Sequence, residues 1–312
     1  MYDLLIIGGG PGGVAAGIYA ARKKIVSALI TEGFGGQSLT SDDIQNWIGS
    51  SHVSGLELAN MLEEHLRAQE GIEIIFGDRA EKIEPLPLGG FLIGTRDGKS
   101  IEAKYILLAS GSHRKRLGVP GEKEFEGKGV AFCATCDAPL FKDKAVAVVG
   151  GGNSGLESVI DLMSYASKVY LLVRSEAPKG DPVTLEKLNA DPKVEVLPLA
   201  LTTEIKGGES GVTGLLYKNA KTGEEKEIAV QGVFVEVGSL PNSEFVKNII
   251  SLNERGEVLV DHKTQQTSNS SIWAVGDVTD LPYRQNNISA GDGVKAILNI
   301  YERMTKEKKS PL

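Results

Sequence analysis

Two stretches of this chain carry the same signature: an apolar run, then Gly-x-Gly-x-x-Gly, then a segment of small residues. Leu4 to Gly13 reads LLIIGGGPGG, and Val146 to Gly155 reads VAVVGGGNSG. A strand that ends in such a turn and opens a helix points free N–H groups and the positive end of the helix dipole at a pyrophosphate. Gly8 and Gly150 allow the tight turn, Gly10 and Gly152 let phosphates approach the backbone, and Gly13 and Gly155 let helix and strand pack closely. One match is weak evidence, because glycine turns after strands are common. Two matches, each set between a strand and a helix, predict an α/β chain with two Rossmann-like dinucleotide-binding domains.

Hydrophobic patterning supports that reading. The first unit reads as strand (Asp3 to Ile7), helix (Gly12 to Arg22) and strand (Val26 to Thr31), and the second as strand (Ala145 to Val149), helix (Ser154 to Tyr165) and strand (Lys168 to Val173). An amphipathic helix is expected over Leu56 to Gln69, with Leu56, Ala59, Leu62 and Leu66 on one face. Strands are expected at Ile72 to Phe76, Phe91 to Thr95, Ile101 to Ala109, Val194 to Leu197, Thr213 to Lys218, Lys226 to Gln231 and Val233 to Val237. Leu117 to Gly129, rich in Gly, Pro and charge, reads as a linker. Ser271 to Met304 offers a strand, a Gly-Asp turn and a long helix, and periodicity leaves open which domain they join.

The two units diverge where the second strand ends. Glu32 lies about twenty residues past the first glycines, where a carboxylate can accept both ribose hydroxyls of an adenosine. The equivalent point in the second unit reads Val173-Arg174-Ser175, and a cation without a carboxylate suits an adenosine 2′-phosphate, favouring NADPH over NADH. A net charge of -7 argues against a nucleic-acid surface, and no stretch approaches the ~20 apolar residues of a membrane span. The chain runs from Met1 directly into a strand, which leaves no room for a signal peptide and makes the cytoplasm the expected location.

Cys133 and Cys136 are the only cysteines. Two thiols separated by two residues can close a disulfide reversibly, and a lowered thiol pKa lets one attack a substrate disulfide. Zinc would need four ligands, yet there is no second CxxC, and His52, His65, His113 and His262 show no ligand spacing, so no metal is expected. Asp137 either protonates a departing thiolate or caps the following turn. Trp47 and Trp273 are expected as packing residues, and His113 as a satisfied or solvated side chain.

These motifs together resemble the bacterial-type, low-molecular-weight thioredoxin reductases and the flavoprotein portion of the alkyl hydroperoxide reductase subunit of the same fold. The resemblance runs nearly end to end: GGGPGG at Gly8, GGQ at Gly35 to Gln37, Asn46-Trp47, ASG at Ala109 to Gly111, CATCD at Cys133 to Asp137, VVGGGNSG at Val148, VGSLPN at Val237, AVGDV at Ala274 and YRQ at Tyr283 to Gln285. It implies FAD at the first site, held by Gly8, Gly10, Pro11, Gly13, Glu32, Gly35, Gly36, Gln37, Asn46, Gly111, Gly276, Asp277, Arg284 and Gln285. It implies NAD(P)H at the second, held by Gly150, Gly152, Asn153, Ser154 and Gly155, with Arg174 and Lys179 beside the adenosine. The FAD domain would be discontinuous, 1–113 and 246–312, with the nucleotide domain inserted at 114–245.

The function so implied is a thioredoxin-disulfide reductase. Electrons would pass from NAD(P)H through FAD to the Cys133–Cys136 disulfide by way of Cys136, and Cys133 would attack the disulfide of thioredoxin or a glutaredoxin-like protein. The family works by a swing of the inserted domain, with hinges expected near Leu117 to Gly129 and Gly238, and as a homodimer. Two departures bear on the electron donor. The basic motif of NADPH-dependent members is only partly kept by Arg174 and Lys179, and Gly155 stands as in the NADH-preferring branch, which however has a carboxylate where Val173 lies. Ferredoxin-driven relatives and oxygen-using dithiol oxidases on the same scaffold are the alternatives. The hydroperoxide-reductase subunit carries an N-terminal thioredoxin-like domain, whereas this chain begins at the flavin site, so a separate disulfide partner is expected.

Overall fold

A computed structural model describes residues 1–41 and 43–309. In chain order the elements are β1 (Tyr2–Gly9), α1 (Pro11–Arg22), β2 (Ser27–Phe34), α2 (Gly55–Arg67), β3 (Ile72–Phe76), β4 (Ala80–Pro85), β5 (Phe91–Thr95) and β6 (Ser100–Leu108). Then come β7 (Ser112–Arg114), β8 (Val130–Ala131), α3 (Ala134–Asp137), β9 (Ala145–Val149), α4 (Asn153–Met163), β10 (Lys168–Val173), α5 (Pro182–Ala190) and β11 (Val194–Pro198). The remainder is β12 (Ala200–Gly208), β13 (Gly211–Asn219), β14 (Glu225–Ile228), β15 (Gly232–Val235), β16 (Ser239–Pro241), β17 (Ile272–Ala274) and α6 (Asn286–Lys309). They form two compact units, one of residues 1–41, 47–113 and 240–309, the other of residues 43–46 and 114–239.

The first unit is built on a sheet of order β3-β2-β1-β6-β5-β4, with β17 also paired to β6. Pairings among β3, β2, β1, β6 and β17 are parallel, and β4 and β5 add an antiparallel hairpin beyond β6. The period-two geometry of β1 sends Leu4 and Ile6 into one core and Leu5 and Ile7 into another, so its continuous apolar run is what a central strand covered on both faces requires. α1 and α6 cover the first of these faces. They approach so closely that a Cβ on Gly293 would stand 2.2 Å from the carbonyl oxygen of Gly12. Trp273 is fully buried there, donating from Nε1 to Asn299 Oδ1 at 3.0 Å and meeting the Tyr105 ring edge-on. α2 starts where Ser54 and Glu57 form a reciprocal capping box, which satisfies two N–H groups that a bare helix end would leave open.

The second unit has a parallel sheet of order β11-β10-β9-β15-β8 and an antiparallel sheet β12-β13-β14. Val146 and Val148 of β9 face α4, while Ala147 and Val149 face β12 and β13. The stretch expected as a linker is instead stapled into this unit. The Glu122 carboxylate accepts the N–H groups of Leu117 and Gly118 at 2.9 and 2.8 Å, Arg116 pairs with Glu126, and Gly121 leaves no room for a Cβ against the Ile205 carbonyl. Gly and Pro there serve tight turns around a buried carboxylate, a use that composition does not distinguish from flexibility. Patterning does not anticipate seven of the described elements: β4, β7, β8, α3, α5, β12 and β16. Each is short or polar on its outer face, which weakens its periodicity.

Candidate active site: a dinucleotide cavity, a second glycine turn and a redox disulfide

The first glycine turn lies at the C-terminal end of β1. Gly8 has φ +118°, and a Cβ there would meet the Ala109 carbonyl oxygen at 2.2 Å; a Cβ on Gly13 would meet the Gly8 carbonyl oxygen at 1.9 Å. By contrast a Cβ on Gly10 would meet nothing within 4 Å, and no side chain caps α1 at Gly10. The turn therefore presents open backbone to whatever occupies the space above it. That space is a cavity of about 960 Å³ within the first unit, lined by Gly8, Gly10, Pro11, Glu32, Gly35, Gly36, Gln37, Gly111, Gly276 and Asp277 among others. An open helix end, a carboxylate at the end of β2 and a cavity of this size lined by both suit a large dinucleotide such as FAD.

Glu32 does not stand alone. Its carboxylate pairs with Arg96 and lies 3.8 Å from Arg79, which in turn holds Glu81 at 2.9 Å. Gln37 Nε2 donates to the Ser112 carbonyl at 2.7 Å, and His113 Nδ1 lies 2.8 Å from Asn242 Oδ1, so His113 is satisfied. Asn46, Arg284 and Gln285 are not on the cavity wall. Arg284 pairs with Glu257 and keeps its Nε buried without a hydrogen-bond partner among the described residues, and Asn46 Nδ2 lies 4.0 Å from Cys136 Sγ. Arg79, Ser112, His113, Asn242, Phe245 and Ser289 line the cavity and went unrecognised in the sequence. They come from separate strands and turns, and although Asn242 closes the VGSLPN stretch, nothing local assigns any of them to the cavity.

The second turn repeats the first. Gly150 has φ +142° with the Glu236 carbonyl oxygen 2.2 Å from its absent Cβ, a Cβ on Gly155 would stand 1.9 Å from the Gly150 carbonyl oxygen, and Gly152 again faces open space. Ser154 is exposed in the first turn of α4. The loop after β10 folds back over this turn: Lys179 N–H donates to the Gly151 carbonyl at 2.7 Å, and Asp181 N–H donates to Asn153 Oδ1 at 2.9 Å. Asn153 thus ties down the loop that carries Arg174 and Lys179. Both cations are exposed and make no ion pair among the described residues.

Cys133 and Cys136 form a disulfide, with Cα atoms 5.3 Å apart. Cys133 is the N-cap of α3, and its carbonyl accepts the N–H groups of Cys136 and Asp137 at 3.2 and 3.0 Å. Both sulfur-bearing residues are half-buried, hence reachable. Asp137 precedes the 3-10 turn Ala138–Phe141 without making a side-chain capping bond to it. Between the cysteines, Thr135 Oγ1 donates to Asp161 Oδ2 of α4 at 2.7 Å and locks the short helix onto the helix that the second glycine turn opens.

Residues 2–295 match the family model for pyridine nucleotide-disulphide oxidoreductases. The chain belongs to this family. An alkyl hydroperoxide reductase subunit of Pseudomonas aeruginosa is 45% identical over 307 residues, covering 98% of this chain and 58% of that protein. A Bacillus subtilis protein named NADH dehydrogenase is 40% identical over 305 residues, covering 98% of the chain and 59% of that protein. The chain thus spans somewhat over half the length of these curated relatives. A thioredoxin reductase from Streptococcus pyogenes superposes with a TM-score of 0.90 at 36% identity, covering 98% of this chain and 99% of that one. The Cys133–Cys136 disulfide thus lies in a pyridine nucleotide-disulphide oxidoreductase, and the family implies FAD and a pyridine nucleotide as its cofactors.

Proposed function

We propose that this chain is a flavin-dependent thioredoxin-disulfide reductase, taking electrons from NAD(P)H and delivering them through Cys133–Cys136 to thioredoxin or a glutaredoxin-like protein. The observation that carries the reading is the half-buried disulfide capping α3 in a unit with its own dinucleotide turn, in a chain whose other unit holds a cavity of about 960 Å³ above a first such turn. FAD bound in that cavity would supply a two-electron carrier between nicotinamide and disulfide.

The chain's own residues divide the remaining work. Gly8, Gly10 and the open end of α1 would hold the pyrophosphate, and Glu32 the adenosine ribose. Reduction of the Cys133–Cys136 bond takes two electrons and yields two thiols once two protons are taken up. Cys133, as thiolate, attacks one sulfur of the partner's disulfide. Cys136 then attacks Cys133 in the mixed disulfide, releasing the partner as a dithiol and closing the ring again. Asp137, in the same helical turn as Cys136, would protonate a departing thiolate in this reading. A homodimer in the cytoplasm belongs to the same proposal; no described helix is long and apolar enough to cross a membrane.

A second reading rests on the 45% identity to a protein named for hydroperoxide reduction: the dithiol partner would then be a peroxide-reducing protein. For the donor, exposed Arg174, with no carboxylate partner among the described residues, favours NADPH, and the relative named NADH dehydrogenase favours NADH. Anaerobic titration of the FAD-loaded protein with each nucleotide, following flavin absorbance, tests the proposal. Bleaching by one of them supports it and names the donor. Bleaching by dithionite alone would replace it with a ferredoxin-driven reductase or a dithiol oxidase.

A further inference from the structure

The parallel sheet of the second unit reverses its winding between β9 and β15. From β9 the chain moves outward through α4 to β10 and through α5 to β11, while β15 and β8 lie on the other side. In open α/β sheets the ligand crosses the carboxyl ends of the strands at such a switch point. Glu236 follows β15 directly at that end. Its N–H donates to the Val149 carbonyl at 2.9 Å, and its own carbonyl touches the place where a Gly150 side chain would be. The side chain turns onto α4, where Oε1 accepts from Ser158 Oγ at 3.0 Å. The Glu236 backbone therefore abuts the glycine turn while its carboxyl rests on Ser158 of the helix that the turn opens, and the chemistry assigned so far does not use the carboxyl.

Resting on the reading of the second turn as a pyridine-nucleotide site, we infer that Glu236 binds the nicotinamide end of the dinucleotide, accepting an N–H of its carboxamide. The adenosine half belongs on the side of β10, where Arg174 and Lys179 lie, so the nicotinamide half runs over β15. The charged groups facing Glu236 are Arg114, which favours its carboxylate, and Glu157 and Asp161 of α4, which oppose it. Burial outweighs Arg114 and the Ser158 hydrogen bond and pushes the carboxyl up to about 7. Accepting a carboxamide N–H favours the ionised form, so binding lowers the pKa and expels the proton that the free site carries. Affinity then rises as pH rises through 7 and levels off above it.

Calorimetry on the oxidised FAD-loaded protein between pH 5.5 and 8.5 tests this, comparing NAD+ with ADP-ribose and NADP+ with 2′-phospho-ADP-ribose. The ratio of whole dinucleotide to fragment affinity should rise roughly tenfold over that range, as a hydrogen bond to a charged acceptor allows. Glu236→Gln should flatten the profile while leaving fragment affinity unchanged. The parent should also disfavour the 3-acetylpyridine analogue, which lacks the N–H, and that arm needs no variant. A pH-independent ratio in the parent, an unaltered profile in Glu236→Gln, or equal affinity for the analogue overturns the inference while fragment binding upholds the nucleotide site. If neither dinucleotide nor fragment binds, the nucleotide reading falls and takes this inference with it.

Discussion

Gly8 and Ala109 meet so closely that a Cβ on Gly8 would lie 2.2 Å from the Ala109 carbonyl oxygen, while the Ala109 N–H donates to the Ile7 carbonyl at 2.8 Å. The end of β6 is thereby pressed against the turn after β1, and the floor of the cavity is made of backbone. Gly8→Ala has to shift one of these segments and adopt φ +118° as well, so it should lose about 1–3 kcal/mol of stability and most of its bound flavin. Chemical denaturation and the flavin-to-protein absorbance ratio check both.

Serine at either cysteine removes one partner of the exchange. Cys133→Ser and Cys136→Ser should each retain flavin yet lose protein-disulfide reduction by on the order of 10³-fold or more. Cys136→Ser should perturb the flavin spectrum more than Cys133→Ser. Either variant turning over thioredoxin at the parent rate would sink the relay.

Glu32 on the cavity wall is held by two arginines, Arg79 and Arg96, both partly exposed. Such a pair contributes little to folding, so Glu32→Ala should leave Tm within about 3 °C of the parent. Its FAD affinity should nevertheless fall roughly tenfold, since an acceptor for the ribose hydroxyls is gone. Fluorescence titration of the deflavinated protein with FAD separates the two effects.

Reversing the charge at Arg174 tests the donor. Arg174→Glu should move the ratio of NADPH to NADH efficiency toward NADH by about tenfold. An unchanged ratio in stopped-flow flavin reduction would remove Arg174 from the nucleotide site.

Glu307 of α6 accepts from Lys104, Tyr105 and Arg303 at 2.8, 2.6 and 3.1 Å. Burial alone would raise its pKa, but these three donors outweigh it and hold it at about 2, against 4.5 when unpartnered. A lowered folded-state pKa stabilises above the unfolded value, and the gain is lost as pH falls from 4.5 toward 2. Because the group is 39% exposed, Glu307→Gln should cost at most about 1 kcal/mol at pH 7. Denaturation curves of parent and variant should converge at acid pH.

Local backbone chemistry made the two dinucleotide turns legible. A strand, a positive-φ glycine and a helix without a side-chain cap lie within ten consecutive residues, and Gly8 with Gly13 and Gly150 with Gly155 behave as their spacing demands. Glu32 was legible because one strand's length fixes its distance from the turn. The Cys133–Cys136 pair needed only two intervening residues. Arg96 was not legible as the partner of Glu32, because the hairpin that carries it lies 64 residues further along the chain. The linker reading of Leu117 to Gly129 failed for a related reason: Glu122 turns a Gly-rich stretch into a clasp only by reaching back to Leu117 and Gly118.

By itself the sequence determined what depends on neighbours along the chain: two glycine turns, the helix each opens, a vicinal thiol pair and the strand-helix alternation around them. The tertiary structure alone decided what depends on strand order. It set β15 beside β9, and so brought the Glu236 carboxyl to Ser158 and the Glu236 carbonyl to the Gly150 turn, across 78 and 86 residues of chain. Sheet pairing, not sequence proximity, places groups at a switch point, and the apolar pattern that drives a strand into a sheet does not specify its neighbour.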